Sequence, residues 1–188
     1  MARALHLKCV MKMWKTCAAI LAGLVAASAH GVGTHGSRWA HTQAMSGEVS
    51  GQGSWSVELQ DGMGLWASTK GDRGSLGQYC SDEGACAWIL VLAGASCAEG
   101  EQHPVLVNTD RAASHHIIQC IGSVPGIGSA LAFVDFDRVD FSIRGASVLG
   151  IAIPQHTDAI GIAHFQLDGA VTTIDSMRAR IVAQARAE

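Results

Sequence analysis

The stretch "GQYCSDEGACAWILVL", residues 77–92, contains the clearest folding signal in the chain. It places Cys80 and Cys86 on either side of "SDEGA", whose Asp, Glu and Gly are typical of a tight reversal. A short segment ending at Cys80 comes before the reversal, and the apolar run "AWILVL" comes after it. This pattern predicts a β-hairpin whose two cysteines face each other across the loop.

Segments on both sides of this hairpin also predict strands. "SWSVELQ" alternates Trp55, Val57 and Leu59 on one face, and "DGMG" turns the chain towards the returning segment "LWAST". Further segments have strand composition: "PVLVNTD", "SHHIIQCI", "SALAFVDF", "VLGIAIP" and "IGIAHFQL". "GSVPGIG" predicts a turn between the second and third of these.

Helices are expected only in the last third of the chain. In "DFDRVDFSIRGA", Asp135 is a candidate N-cap and Gly145 is expected to end the helix. A C-terminal helix is predicted from about Gly169 to Ala185, with Asp168 as its cap. Its apolar stripe comprises Ala170, Ile174, Met177 and Ile181. The predicted fold class is α+β, a mainly antiparallel β-sheet or sandwich with a C-terminal helix packed on it.

The charges of the C-terminal segment also favour a helix. An aspartate precedes the predicted helix, and three arginines follow towards its end: Arg178, Arg180 and Arg186. Anions near the start and cations near the end of a helix suit the helix dipole.

The start of the chain is typical of a secretory signal peptide. Four cations and no acid occupy the first 15 residues, and an apolar run of 13 residues, 17–29, follows. A bilayer-spanning helix needs about 20 residues, so this run predicts cleavage rather than an anchor. Ala27 and Ala29 suit signal peptidase, which places the cut after Ala29. We therefore expect a signal peptide at 1–29, a flexible tail at 30–53 and a single α+β domain at 54–188.

The mature chain would be acidic. The full sequence has 13 Lys+Arg and 16 Asp+Glu, and removing four cations and no acid leaves a net formal charge of −7. Phosphate contacts need clustered Lys or Arg, and the sequence has no basic patch. The charge therefore argues against nucleic acid as a partner, and no integral membrane segment is expected after signal cleavage.

Four cysteines would remain after cleavage: Cys80, Cys86, Cys97 and Cys120. In an exported chain an even number indicates disulfide bonds, and three pairings are possible in principle. The hairpin favours Cys80 with Cys86, which leaves Cys97 for Cys120; pairing of Cys80 with Cys120 is the main alternative. Zinc knuckles and thiol redox sites use closer spacings than these.

Histidines are the remaining candidates for a site: His103, His116, His156 and His164. His115 and His116 are adjacent on a predicted strand, so their side chains should point to opposite faces. "DFDRVD" lacks the Gly and Glu of an EF-hand loop, and no G-x-S-x-G elbow occurs. The sequence predicts no cofactor and no metal site.

Part of the chain resembles a known family of bacterial envelope proteins. The exported start, "SWSVELQ", the scattered cysteines and "IGIAHFQLDGAVTTIDSM" together resemble invasion-associated locus B proteins, with Phe165, Leu167 and Gly169 at matching positions. The aromatic residue that follows the glycine in that family is Ala170 here. The resemblance covers about a third of the chain and implies an envelope or host-contact role without catalytic residues.

We therefore interpret the chain as an exported, disulfide-stapled envelope or secreted protein with a non-catalytic binding or structural role. Its expected location is the periplasm or the exterior, and its expected partner is an unknown protein or envelope component. The alternative is an uncharacterised periplasmic hydrolase or metal-dependent enzyme that uses a cluster of the four histidines. Whether those histidines meet in space distinguishes the two hypotheses.

Overall fold

The structure, a computed structural model, describes residues 54–60, 64–154 and 160–186. The expected signal peptide and tail lie outside the described residues, as does His156. The nine strands are β1 (Ser56–Gln60), β2 (Gly64–Gly71), β3 (Gly74–Cys80), β4 (Cys86–Ala93), β5 (Gln102–Thr109), β6 (Ala113–Val124), β7 (Gly128–Phe133), β8 (Val148–Pro154) and β9 (Ile160–Gln166). The two helices in this part of the chain are α1 (Phe136–Ile143) and α2 (Ala170–Ala185).

All nine strands belong to one antiparallel sheet. Their order is β1-β2-β3-β4-β7-β6-β5-β8-β9, and every neighbouring pair is antiparallel. The sheet curls, so that β9 comes into contact with β2. A β-carbon at Gly71, the last residue of β2, would lie 2.2 Å from the carbonyl oxygen of His164, so this contact requires glycine. The predicted fold class is confirmed as a mainly antiparallel sheet with a helix packed on it.

The hairpin predicted from residues 77–92 lies in the middle of the sheet. Cys80 is opposite Cys86 in the register of β3 and β4, and the two form a disulfide bond. Trp88 and Leu90 of β4 face the main core, whereas Ile89 belongs to a smaller apolar cluster on the other face. Because both faces of β4 are covered, its sequence is continuously apolar instead of alternating.

Helix α2 closes the main core. The predicted stripe is buried, and it packs against β1, β2 and β3. The predicted cap was wrong: the N-cap is Gly169, with φ 86°, and no side chain caps the helix. The reason is the turn before it, where the Ala170 amide donates to the carbonyl of the buried Leu167. A left-handed residue is needed in that turn, so glycine takes the cap position and Asp168 lies outside the helix.

The expected arrangement of charges along this helix was also wrong. The first turn of α2 has no acidic residue and the last turn has no basic residue. Arg178 instead points inward, where its guanidinium lies over the ring of Phe136, 5.5 Å from the ring centroid. The charge of Arg178 therefore serves a tertiary contact with α1 and not the helix dipole.

Helix α1 begins as predicted. The Asp135 side chain accepts a hydrogen bond from the Arg138 amide at 3.3 Å, and Gly145 follows the helix with φ 84°. Val139 and Ile143 are buried against the core. On the next position of the same face, Asp140 enters the protein with its side chain only 14% exposed.

Asp140 accepts hydrogen bonds from four side chains. Three of them belong to β3, β4 and α2, and the fourth belongs to the residue that directly follows α1. The donors are Trp88 Nε1 at 3.0 Å, Gln78 Nε2 at 3.3 Å, Arg178 Nη2 at 2.6 Å and Arg144 Nε at 2.9 Å. Burial opposes the charge of Asp140, but the hydrogen bonds from the two arginines and the tryptophan outweigh it and hold its pKa below the usual value. One carboxylate therefore joins both helices to β3 and β4.

Replacing Asp140 with asparagine should destabilise the protein strongly at neutral pH. Removing one partner of a buried ion pair costs about 3 kcal/mol or more, because Arg178 and Arg144 would lose their counter-charge. Since the pKa of Asp140 is lowered by folding, its contribution is present above about pH 4 and is lost as the pH falls further. The difference in free energy of unfolding between wild type and Asp140→Asn should therefore shrink below about pH 4, as measured by urea denaturation.

Two other carboxylates also make the stability of the protein depend on pH, so the measurement needs a control variant. Backbone amides of His164 and Ser147 lower the pKa of Asp72 and Asp110, so wild-type stability should fall in acid for those residues as well. Glu58→Gln, on the exposed side of β1, removes a carboxylate outside the network and should leave the curve unchanged. A constant difference between wild type and Asp140→Asn from pH 7 to pH 3 would contradict the assignment.

Candidate functional site

A cavity of about 520 Å³ lies at the end of the curled sheet that the helices leave open. Along the inner face of β4, Trp88 bonds to Asp140 of α1, whereas Leu92, four residues further on, lines the cavity. This volume falls within the range of about 300 to 1,000 Å³ that is common for small-molecule sites.

The floor of the cavity is apolar. Leu92, Leu131 and Ile118 extend into it from the adjacent strands β4, β7 and β6, and each is buried. Ile153 of β8 and Ala163 of β9 form the opposite wall. Ser129, which also lines the cavity, already donates its hydroxyl to the Ala95 carbonyl at 3.0 Å. A ligand that reaches the floor would therefore meet mainly the carbon atoms of these side chains.

The loop between β4 and β5 forms one lip of the cavity and is held at several points. The Gly94 amide donates to the Ile127 carbonyl at 2.8 Å, and the Gly100 amide donates to the Cys120 carbonyl at 2.8 Å. Between these points, Cys97 is joined to Cys120 of β6 by a disulfide bond. Both disulfides of the structure thus have the pairing that the sequence favoured.

Three ionisable residues of the described part line the cavity: Arg73, Glu101 and His103. Glu101 Oε1 lies 3.4 Å from His103 Nε2, and its Oε2 accepts a hydrogen bond from the Ala98 amide at 3.1 Å. Arg73 lies in the turn between β2 and β3, where its carbonyl accepts from the Ala93 amide at 2.9 Å. No ion pair joins Arg73 to a residue within 54–60, 64–154 or 160–186. The cavity therefore combines an apolar floor with a charged mouth.

His164 does not belong to this cavity but supports one side of it. Its backbone amide and its Nδ1 lie 2.8 and 3.0 Å from the two carboxylate oxygens of Asp72. These contacts tie the turn that carries Arg73 to β9. Both side chains are exposed to solvent, so the contacts fix a position and bury no charge.

His116 lies elsewhere again, buried on β6, while its neighbour His115 is exposed as the strand geometry predicted. Its Nε2 is 2.8 Å from the Ser114 hydroxyl, and its Nδ1 has no hydrogen-bond partner among the described residues. Burial lowers its pKa, with Arg138 adding to the effect and Asp135 opposing it. A serine next to a neutral imidazole supplies two of the three members of a catalytic triad, but the orienting acid is missing from the described part. The His116 ring packs against the ring of Phe133 at an interplanar angle of 88°, and this contact explains why the ring is buried.

The candidate histidines thus have separate partners wherever the structure describes them. His103 pairs with Glu101, His116 with Ser114 and His164 with Asp72. No group of three or more His, Cys, Asp or Glu side chains in the described ranges is placed to hold a metal ion. Within the same ranges no helix is long and apolar enough to cross a bilayer.

The sequence singled out two residues that line the cavity, His103 as a site candidate and Cys97 as a disulfide residue, and it indicated none of the others. Arg73 and Glu101 are 28 positions apart in the chain and have no motif in common. The one available signal was the disulfide between Cys97 and Cys120, since a bridged loop of small residues is a suitable lip for a cavity.

No protein family model matches the chain, and no curated protein does. Among solved structures, the crystal structure of invasion associated protein B from Bartonella henselae is similar, with a TM-score of 0.52. The two chains are 15% identical, and the similarity covers 74% of this chain and 98% of that one. At this identity the similarity shows a common fold and no more. The similarity confirms, for the fold, the resemblance to invasion-associated locus B proteins that the sequence indicated.

The two disulfides should differ in what they hold. Removing Cys97–Cys120 by a double change to alanine should free the lip and speed amide hydrogen exchange at Gly100, whose amide donates to the carbonyl of the bridged Cys120. Removing Cys80–Cys86 is the matched control, because Cys86 is about 23 Å from Ala93 along β4. Exchange measured by NMR should rise at least about tenfold at Gly100 only in the first variant.

Global destabilisation would not imitate this difference. The bridges have sequence separations of 6 and 23 and so close loops of 7 and 24 residues, for which the loop-entropy relation gives about 2.4 and about 3.4 kcal/mol. The difference of about 1 kcal/mol would change exchange through global unfolding only about fivefold, less than the effect expected at the lip. Equal exchange rates at Gly100 in the two variants would show that the lip does not depend on its disulfide.

Proposed function

We propose that the protein is exported to the bacterial envelope or secreted, and that it acts without catalysis by holding a small ligand in the cavity bounded by the β4–β5 loop. The cavity is the observation on which this proposal depends. Concave, mostly apolar sites with a few polar groups at the mouth are the usual form of small-molecule sites in proteins.

Export is supported by three independent features. The first 29 residues have the composition of a signal peptide, and disulfide bonds of this kind persist in oxidising compartments. The similar fold belongs to a protein described as invasion associated, from Bartonella henselae. We infer a role in the envelope or outside the cell from these features together.

The enzymatic alternative has less support. A hydrolase or metal-dependent enzyme would need two or more of the candidate histidines in one cleft beside an acid. In the described part, only His103 lies in the cavity, and the one carboxylate near it also accepts a hydrogen bond from the loop backbone. Binding a ligand without changing it requires no catalytic group, so binding is the simpler proposal.

Ligand binding can be tested with a neutral apolar fluorescent probe such as N-phenyl-1-naphthylamine. The purified protein should bind it with increased fluorescence, and Ala95→Trp should abolish binding because Ala95 lines the cavity and packs against the core. Ile153→Trp fills the space from the opposite wall and gives a second blocking variant. Ala112→Trp, on the exposed β5–β6 turn, is the matched control and should bind the probe as wild type does. Unchanged binding in both blocking variants would refute the proposal.

Export can be tested by expression of the full chain in a Gram-negative bacterium. Mass spectrometry of periplasmic or culture material should find a mature N-terminus at His30, because Ala27 and Ala29 offer the small side chains that signal peptidase needs. Changing both alanines to leucine should stop this cleavage, whereas changing Ala4 to leucine should not. Recovery of the protein in the cytoplasm with an intact Met1 would contradict export.

A further inference from the structure

We infer that the ligand of this cavity is an amphipathic oxyanion, an apolar chain or ring that ends in a carboxylate or phosphate group. The inference rests on the proposed binding function and specifies its ligand. In this arrangement the apolar part occupies the floor, and the anionic head group binds to Arg73 at the mouth.

The floor determines the body of the ligand. Leu92, Leu131 and Ile118 are buried side chains of adjacent strands and present carbon atoms to the cavity. A polar body would lose hydrogen bonds to water there and would regain few of them, since the Ser129 hydroxyl already donates its proton to the Ala95 carbonyl. The floor therefore selects hydrocarbon over sugar, nucleoside or peptide.

The mouth determines the head group, and Arg73 is the residue that does so. Its turn is held from both sides of the mouth, by the hydrogen bond from Ala93 of β4 and by the contacts between Asp72 and His164 of β9. The guanidinium has no ion-pair partner in the described part of the chain. Its guanidinium, carried on this held turn, offers a fork of N–H donors that matches the geometry of carboxylate and phosphate oxygens.

The other charged groups of the mouth do not favour a cation instead. Among the described residues, Glu101 is the one carboxylate that lines the cavity, and its two oxygens face His103 and the Ala98 amide. Both of its oxygens therefore already have a partner, one in β5 and one in the β4–β5 loop. A cationic ligand would have to displace those contacts and would also meet the like charge of Arg73.

Four probes with the same ten-carbon chain test the inference: decanoate, decyl phosphate, decanol and decyltrimethylammonium. Their dissociation constants are measured by displacement of N-phenyl-1-naphthylamine, below the micellar concentrations. We expect at least one of the two anions to bind about tenfold more tightly than decanol, the size expected of one charge-assisted hydrogen-bonded contact. The ammonium compound should bind more weakly than decanol. Comparison of the two anions identifies the head group.

Variants of Arg73 test the assigned residue. Arg73→Gln should reduce the preference for the anion about tenfold and leave decanol binding unchanged. Arg73→Lys should retain part of the preference, because the positive charge remains although the fork of N–H donors is lost. Arg186→Gln, an exposed arginine past the end of α2, is the matched control and should behave as wild type. Melting temperatures of the variants confirm that each is folded.

The outcomes separate this inference from the proposed function. Equal binding of decanol and both anions, or tightest binding of the ammonium compound, would overturn the oxyanion while leaving ligand binding intact. An undiminished anion preference in Arg73→Gln would overturn the role of Arg73. Failure of N-phenyl-1-naphthylamine and of all four probes to bind would overturn both proposals.

Discussion

The buried carboxylate of Asp140 is the constraint on which the arrangement of this protein depends. A single charge in the interior is costly, so its position requires donors on every side, and these come from β3, β4 and both helices. The contact is directional, whereas apolar packing alone would tolerate several positions of α1 and α2. Arg144 extends this network, because its Nη2 donates a hydrogen bond to Asp175 Oδ1 of α2 at 2.6 Å. The two helices are therefore also joined to each other. The helices are thereby fixed over one end of the curled sheet, and no described residue covers the other end.

The open end becomes a cavity because local covalent and polar contacts stop it from collapsing. The β4–β5 loop consists largely of small residues, which cannot fill the space beneath it. Its disulfide to β6 and its backbone hydrogen bonds hold it in place. On the other side, Asp72 joins the β2–β3 turn to β9, where the sheet approaches itself. The disulfide Cys80–Cys86 has no part in this, since it closes the hairpin at the far end of β4.

The similarity to the Bartonella protein shows how little sequence this fold requires. At 15% identity few side-chain contacts can be common to both chains, yet the fold covers nearly all of that protein. An antiparallel sheet with a helix on one face depends mainly on the pattern of apolar residues and on turn residues such as Gly71, and many sequences satisfy both. A binding site depends instead on a few particular side chains, so a common fold does not imply a common binding site.

Sequence by itself determined the local structure of this protein. Alternating and continuous apolar runs gave the strands, Asp135 gave the start of α1, and the stripe of α2 gave its buried face, because each of these signals lies within a few residues of the chain. The pairing of the cysteines also followed, since a five-residue loop brings Cys80 to Cys86 and leaves two partners. Asp168 was misassigned as a cap because burial of Leu167 sets the turn before α2, and burial is a property of the whole fold. Only the tertiary structure decided the network of Asp140 and the cavity. Gln78 and Arg178 are 100 positions apart, and Asp72 and His164 are 92 apart. Contacts of that range arise when the sheet curls and the helices dock, and no local pattern of residues records them.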